Sequence, residues 1–189
     1  MILEGIITTE SSDGGMHISP IGPHIDRNWN EWTLKPFQSS QTFANLKARS
    51  RGVFHVVDDG LLMVESVLGL CNPPYAPPAA RFEPDQGWIL ENGCRIIPLT
   101  IDAWDLDQER AVARCSPGPC IEQRPFWGWN RAAHSLLELA ILMSRRHWLD
   151  RDLLLSEWQR HQIIVEKTGG DREFLALELI RQTLDAAAE

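Results

Sequence analysis

Residues 33–46 read Thr-Leu-Lys-Pro-Phe-Gln-Ser-Ser-Gln-Thr-Phe-Ala-Asn-Leu and gather side chains suited to holding an anion. A strand-like segment carrying Lys35 runs into Pro36. Ser39, Ser40 and Thr42 then cluster ahead of a helix-like run over Phe43–Arg49, and Gly52–Val57 resumes as an apolar strand. The first turn of a helix offers unpaired N–H groups and the positive end of the helix dipole, so hydroxyls and a lysine beside it make an anion site. The segment reads as the holder of a phosphate on a nucleotide-like cofactor. The alternative is that Ser39 merely caps the helix, since serine there satisfies orphan N–H groups by itself. A second helix start has similar chemistry: Asn130 caps it and Arg131 follows. That pair either cradles an anion or leaves Arg131 to an ion pair with Glu138 or a loop acid.

His17 and His55 fall in strand-like segments and are candidates for proton transfer, because imidazole titrates near neutral pH. Period-two alternation puts Val53, His55 and Val57 on one face, so His55 has an alternative place in a polar niche at a sheet surface or subunit contact. Cys71, Cys94, Cys115 and Cys120 include no Cys-x-x-Cys pair and read as structural thiols. Asp102, Asp105, Asp107 and Glu109 lack the glycine and closing glutamate of a calcium loop, so no metal site is expected. No Gly-x-Gly-x-x-Gly or P-loop signature occurs, and no nucleophile elbow or zinc signature supports a hydrolase.

At 189 residues the chain can bury one sizeable core, or one domain with a smaller appendage. A net charge of −8 argues against a nucleic-acid partner, which would need clustered Lys and Arg. No apolar run approaches the roughly 20 residues of a membrane-spanning helix. The first residues also lack the basic-then-apolar layout of a signal peptide, so a cytoplasmic protein with no membrane partner is expected.

The elements that must position these residues follow from patterning. Ile2–Thr9 and Met16–Ile21 form a hairpin across the turn residues Ser11–Gly15, a polar loop spans 24–31, and Trp32–Phe37 is a strand. Asp58 or Asp59 caps a short helix with Leu61, Leu62, Val64, Val67 and Leu68 on its apolar face. Five prolines make Cys71–Pro84 an extended surface loop of a length associated with function or a partner. Strands return over Trp88–Leu90, Cys94–Trp104, Arg110–Cys115 and Cys120–Gln123. Helical periodicity takes over from Asn130 to about Trp148, then from Asp152 to Lys167, and from an Asp171 cap onward. The reading is mainly β or α+β: an antiparallel split β-barrel over residues 1–124 followed by a C-terminal helical region over 125–189.

Three segments in order carry a resemblance. Gly14–Gly22 (Gly-Gly-Met-His-Ile-Ser-Pro-Ile-Gly), Leu34–Leu46 and Gly52–Val56 together resemble the FMN-binding split-barrel superfamily. Within it the chain is similar to an uncharacterised family whose helical region opens with Phe-x-Gly-x-Asn-Arg-Ala, here Phe126–Ala132. The resemblance implies FMN at a homodimer interface, with its phosphate on the residues opening the helix after the third strand. Ser40 and Thr42 match the Ser/Thr-x-Thr pair of those proteins, and Asn45 and Leu46 match the Asn-Leu that follows. Ser19, Ile21 and Gly22 match the strand end that passes along the flavin ring, and Lys35, Ser39, Asn130 and Arg131 complete the expected cofactor set. Trp29, Trp32, Trp127 and Trp129 are available to stack on a flat ring or to anchor a core or interface. One position departs: the family often has arginine between the two hydroxyl residues, and this chain has Gln41. That removes a fixed charge able to pair bidentately with phosphate, leaving Lys35, Lys47 or Arg49 to replace it. The implied function is an FMN flavoprotein, an oxidoreductase or electron carrier acting on an unidentified small molecule. The alternative, which Gln41 favours, is a split barrel that has lost redox function and serves as a binding or scaffold protein.

Overall fold

The structure, a computed structural model, describes residues 1–186. One compact unit takes Met1–Val57 and Cys71–Phe126. It begins with the hairpin β1 (Gly5–Glu10) and β2 (Met16–Ile21), in which Thr9 lies opposite His17. Gly14, at φ 84°, and Asp13, whose carboxylate accepts the Gly15 N–H, close its turn. The expected polar loop contains a two-residue strand, β3 (His24–Ile25), which pairs with β4 (Trp32–Leu34). Between them Asp26 accepts the N–H groups of Asn28, Asn30 and Glu31 and so folds the loop.

The helix α1 (Gln41–Arg49) follows β4, and β5 (Arg51–Val56) returns into the sheet. The rest of the unit is β6 (Ala80–Glu83), β7 (Gly87–Leu90), β8 (Arg95–Asp105), β9 (Val112–Pro117) and β10 (Ile121–Glu122). The main sheet runs β2-β1-β5-β8-β9-β4-β3 with β10 beside β8, all antiparallel, while β6 and β7 form a separate ribbon. The ribbon corrects the reading of 71–84 as loop throughout. Its prolines stop at Pro78 and resume at Pro84, which leaves Ala80–Glu83 free to donate to one neighbour.

Strand β5 is buried on both faces from Gly52 to His55, and this accounts for its apolar Val53 and Phe54 facing opposite ways. Phe54 joins Ile7, Trp32, Leu34, Leu46, Ile97 and Leu99 in the principal core. Val53 packs on the opposite side with Ile89 and Ile96, against the ribbon. Trp32 is 2% exposed and has no face left for a ligand, so its place is the core.

The other unit takes Asp58–Leu70 and the chain from Trp127 onward. Its helices are α2 (Gly60–Val67), α3 (Arg131–Ser144), α4 (Arg151–Thr168) and α5 (Asp171–Ala186), with a 3₁₀ turn at Arg146–Trp148 where one continuous helix was expected. The chain passes from the first unit to the second at Phe126/Trp127, and α2 belongs with the helices. Its Leu61 and Val64 are buried with Leu136, Leu139, Met143 and Ile180, a helical core that a short amphipathic segment can join from a distance in sequence. Gly60 permits the approach, since a Cβ there would stand 3.2 Å from the Ala133 Cα. No described helix is long and apolar enough to cross a membrane.

Candidate functional site

The start of α1 is built from the connection out of β4. Ser40, rather than Ser39, is the N-cap: it is extended at φ −83° and ψ 150°, and its Oγ accepts the Phe43 N–H at 3.2 Å. The same hydroxyl donates to the Phe37 carbonyl at 2.7 Å. The cap therefore takes one donor, and the N–H groups of Gln41 and Thr42 have no acceptor among the described residues. Thr42 is only 3% exposed, yet its hydroxyl makes no hydrogen bond to any described residue. Ser39 and Lys35 are exposed, and no acid occupies the first turn. Two backbone N–H groups and two uncommitted hydroxyls suit a phosphate, which presents several acceptor oxygens and negative charge.

Asn45 holds this helix in place instead of facing outward. It is buried; its Nδ2 donates to Thr9 Oγ1 at 2.9 Å and reaches Ser11 Oγ at 3.4 Å. Its Oδ1 accepts from Gln41 Nε2 at 2.7 Å, so Gln41 is folded back along the helix. The strand end at Ser19–Gly22 lies on β2, an outer strand of the sheet, and α1 packs against β1 and β2. Asn72 brackets that edge at Ile18, accepting its N–H and donating to its carbonyl, both at 2.8 Å. Gly22 has a structural reason of its own, since a Cβ would stand 2.7 Å from Ile2 Cγ2.

The cations divide differently from the sequence reading. Lys47 and Arg49 sit in the last turn of α1, with Lys47 5.4 Å from the Trp104 ring centre and Arg49 3.1 Å from Glu10, so neither reaches the helix start. Arg110 was not anticipated. Its guanidinium lies 3.9 Å over the Phe37 ring, and Nη1 donates to the Lys35 carbonyl at 3.3 Å. The β8–β9 turn that carries it is fastened to the same connection: Gln38 Nε2 donates to the carbonyls of Leu106 and Gln108, and Ala111 N–H to that of Pro36. Local sequence has no signal for this, because Arg110 meets Phe37 across 73 positions through the β4–β9 pairing.

His55 does not fit proton transfer. It is fully buried and its Nε2 accepts the Leu90 N–H at 3.0 Å. Burial pushes its pKa down to about 4, although the nearby Ile6 and Val53 carbonyls favour a proton on it; Nδ1 makes no well-formed hydrogen bond. Its role is to tie β5 to the ribbon. His17 is half-buried on β2, and burial lowers its pKa as well. In the helical unit, Asn130 is a full cap: Oδ1 accepts from both Ala132 and Ala133, at 2.7 and 3.1 Å. Arg131 is exposed. Trp129 stacks on His134 at 5.0 Å, and Trp127 donates its N–H to Asp58. Among the described residues no group of His, Cys, Asp and Glu is arranged to hold a metal ion.

An antiparallel sheet of this order, with a helix between β4 and β5 and helices after it, is the FMN-binding split-barrel fold with a C-terminal helical region. The chain belongs to the family described as protein of unknown function DUF447, whose N-terminal domain matches residues 3–118 and whose second domain matches residues 130–182. It is similar to the FMN-bound protein MM1853 from Methanosarcina mazei, of the same family, with TM-score 0.80 and 19% identity over 96% of this chain and 94% of that one. The styrene monooxygenase flavin reductase SMOB from Pseudomonas putida S12 gives TM-score 0.53 at 12% identity, covering 64% and 82%. Flavin reductase HpaC, complexed with NADP+, gives 0.56 at 11%, covering 68% and 82%. No curated protein sequence matches.

Proposed function

We propose that this chain is an FMN-binding flavoprotein, an oxidoreductase or electron carrier, that seats the cofactor's phosphate on the start of α1. The observation that carries the reading is the open helix start, where the Gln41 and Thr42 N–H groups and the Thr42 hydroxyl have no partner among the described residues. An FMN-bound member of the family and flavin reductases of the same fold support it. Ser39, Thr42 and the two N–H groups hold the phosphate, Lys35 adds charge, and Asn45 keeps α1 on β1. The edge of β2 at Ser19–Gly22 lies along the ring. Bound FMN supplies hydride or electron transfer, and the protein orients the ring and limits its access to water.

Two copies forming a homodimer complete the reading. Trp127 and Trp129 are each 86% exposed, and aromatic surface of that kind marks an interface more often than a solvated face. Asn130 and Arg131 follow them directly and serve the cofactor's tail or an acidic substrate in this scheme. A small-molecule substrate and a cytoplasmic setting belong to the same proposal.

The test is the visible spectrum of the purified protein and a titration of FMN into stripped protein. A flavin spectrum and saturable binding are expected; no binding at tens of micromolar FMN overturns the proposal. The second reading, a scaffold without redox function, draws on Gln41, whose amide serves Asn45 where a phosphate-pairing side chain would be useful. Protein free of flavin after expression with ample riboflavin, isolated in a stable complex with another protein, would favour it.

A further inference from the structure

We infer that Arg110 is the residue that makes this site select a phosphorylated flavin over an unphosphorylated one. The inference rests on the FMN reading above and names a group that the chemistry of α1 alone does not supply. A hydroxyl cap and two N–H groups bind an anion through dipoles, but no formal positive charge sits within the first turn of α1. Lys47 and Arg49 are held at the far end of the helix.

Arg110 is tied to the connection that leads from β4 into α1, on which Lys35 is the other cation. Its guanidinium is stacked on Phe37, the residue whose carbonyl receives both the Ser40 N–H and the Ser40 hydroxyl. Stacking fixes the plane of the group, and one of its five N–H donors goes to the Lys35 carbonyl. It pairs with no carboxylate among the described residues, although Asp105, Asp107 and Glu109 share its turn. An arginine held flat, with its remaining donors uncommitted and no acid to neutralise it, is prepared for bidentate contact with a phosphate. The Thr42 hydroxyl, which makes no hydrogen bond to a described residue, belongs to the same helix start. Gln41 is thereby relieved of the cationic role and remains with Asn45.

The experiment compares FMN with riboflavin by quenching of flavin fluorescence, using the full chain and its Arg110→Ala and Arg110→Lys variants. Riboflavin lacks the phosphate and reports on the ring site alone. For Arg110→Ala, FMN affinity should fall about ten- to hundredfold while riboflavin affinity is unchanged, the size expected for losing hydrogen bonds to a charged group. Arg110→Lys should recover part of the loss, since a point charge keeps attraction but not the fork. Raising salt should weaken FMN binding more in the unsubstituted chain than in Arg110→Ala. Equal FMN affinity in the chain and in Arg110→Ala overturns the inference while leaving the FMN reading intact. Parallel loss of FMN and riboflavin also overturns it, by giving Arg110 a structural part only. A chain that binds neither flavin overturns both.

Discussion

The two compact units treat their polar groups in opposite ways. Among the described residues the sheet unit buries Thr8, Thr9, Thr42, Asn45 and His55, whereas the helical unit buries only Ser66 and Ser135 of its polar side chains. Helix starts differ in how they are closed. Asn130 and Asp150 each accept two N–H groups at the openings of α3 and α4, Asp59 at α2 and Ser40 at α1 each accept one, and Glu173 reaches back to the Gly170 N–H ahead of α5. Asp59 brings a carboxylate to its helix end, whereas Ser40 is neutral and has the Thr42 hydroxyl beside the open N–H groups. A neutral helix start lined with hydroxyls suits an anion better than one that already holds a carboxylate.

The contrast can be broken or sharpened by substitution. In the helical unit stability should depend on packing, so Leu136→Ala, at a fully buried position, should cost about 2–5 kcal/mol in chemical denaturation. In the sheet unit it should depend on pH through His55, whose folded pKa is about 4 against an ordinary 6.5. Above pH 6.5 the imidazole is neutral folded or unfolded. As pH falls from there towards 4 the unfolded chain takes up the proton first, so stability drops, by on the order of 3 kcal/mol for a shift of that size. His55→Gln, which keeps an acceptor for the Leu90 N–H, should flatten that slope; an unchanged slope would assign it to other groups.

Two smaller effects compare the helix starts directly. Thr42→Val removes a hydroxyl with no partner among the described residues, so stability should barely change while FMN affinity falls about three- to tenfold and riboflavin affinity holds. Asn130→Ala should do the reverse at α3, costing about 1 kcal/mol of stability through two lost cap bonds. If Thr42→Val instead destabilises the protein and leaves FMN binding alone, the open start of α1 is a structural accident.

Much of this was legible in the residues. The hairpin follows from turn residues between alternating strands, α1 and α3 follow from their caps and periodicity, and the family segments matched the fold. What escaped is what depends on partners far along the chain. His24–Ile25 is too short to display a period and becomes a strand only because Thr33 and Trp32 lie opposite. Ser39 and Ser40 are equivalent in a one-dimensional reading, and a single backbone conformation decides which one caps. His55 alternates with apolar neighbours as a surface residue would, but the ribbon covers that face. Arg110 lay in a turn dominated by acids, where nothing local distinguishes an arginine stacked on Phe37 from one in water.

The bond between Gln41 and Asn45 bears on how this chain can change over generations. Asn45 donates through Nδ2 to residues 9 and 11 and turns its oxygen to position 41, where a donor is favoured in this arrangement. A carboxylate at 41 would oppose that oxygen and disturb two contacts on the first hairpin, while a longer cation would have to serve Asn45 as well as an anion. Position 41 is therefore coupled to residues 9, 11 and 45, so that substitutions there are expected to be non-additive with substitutions at those three.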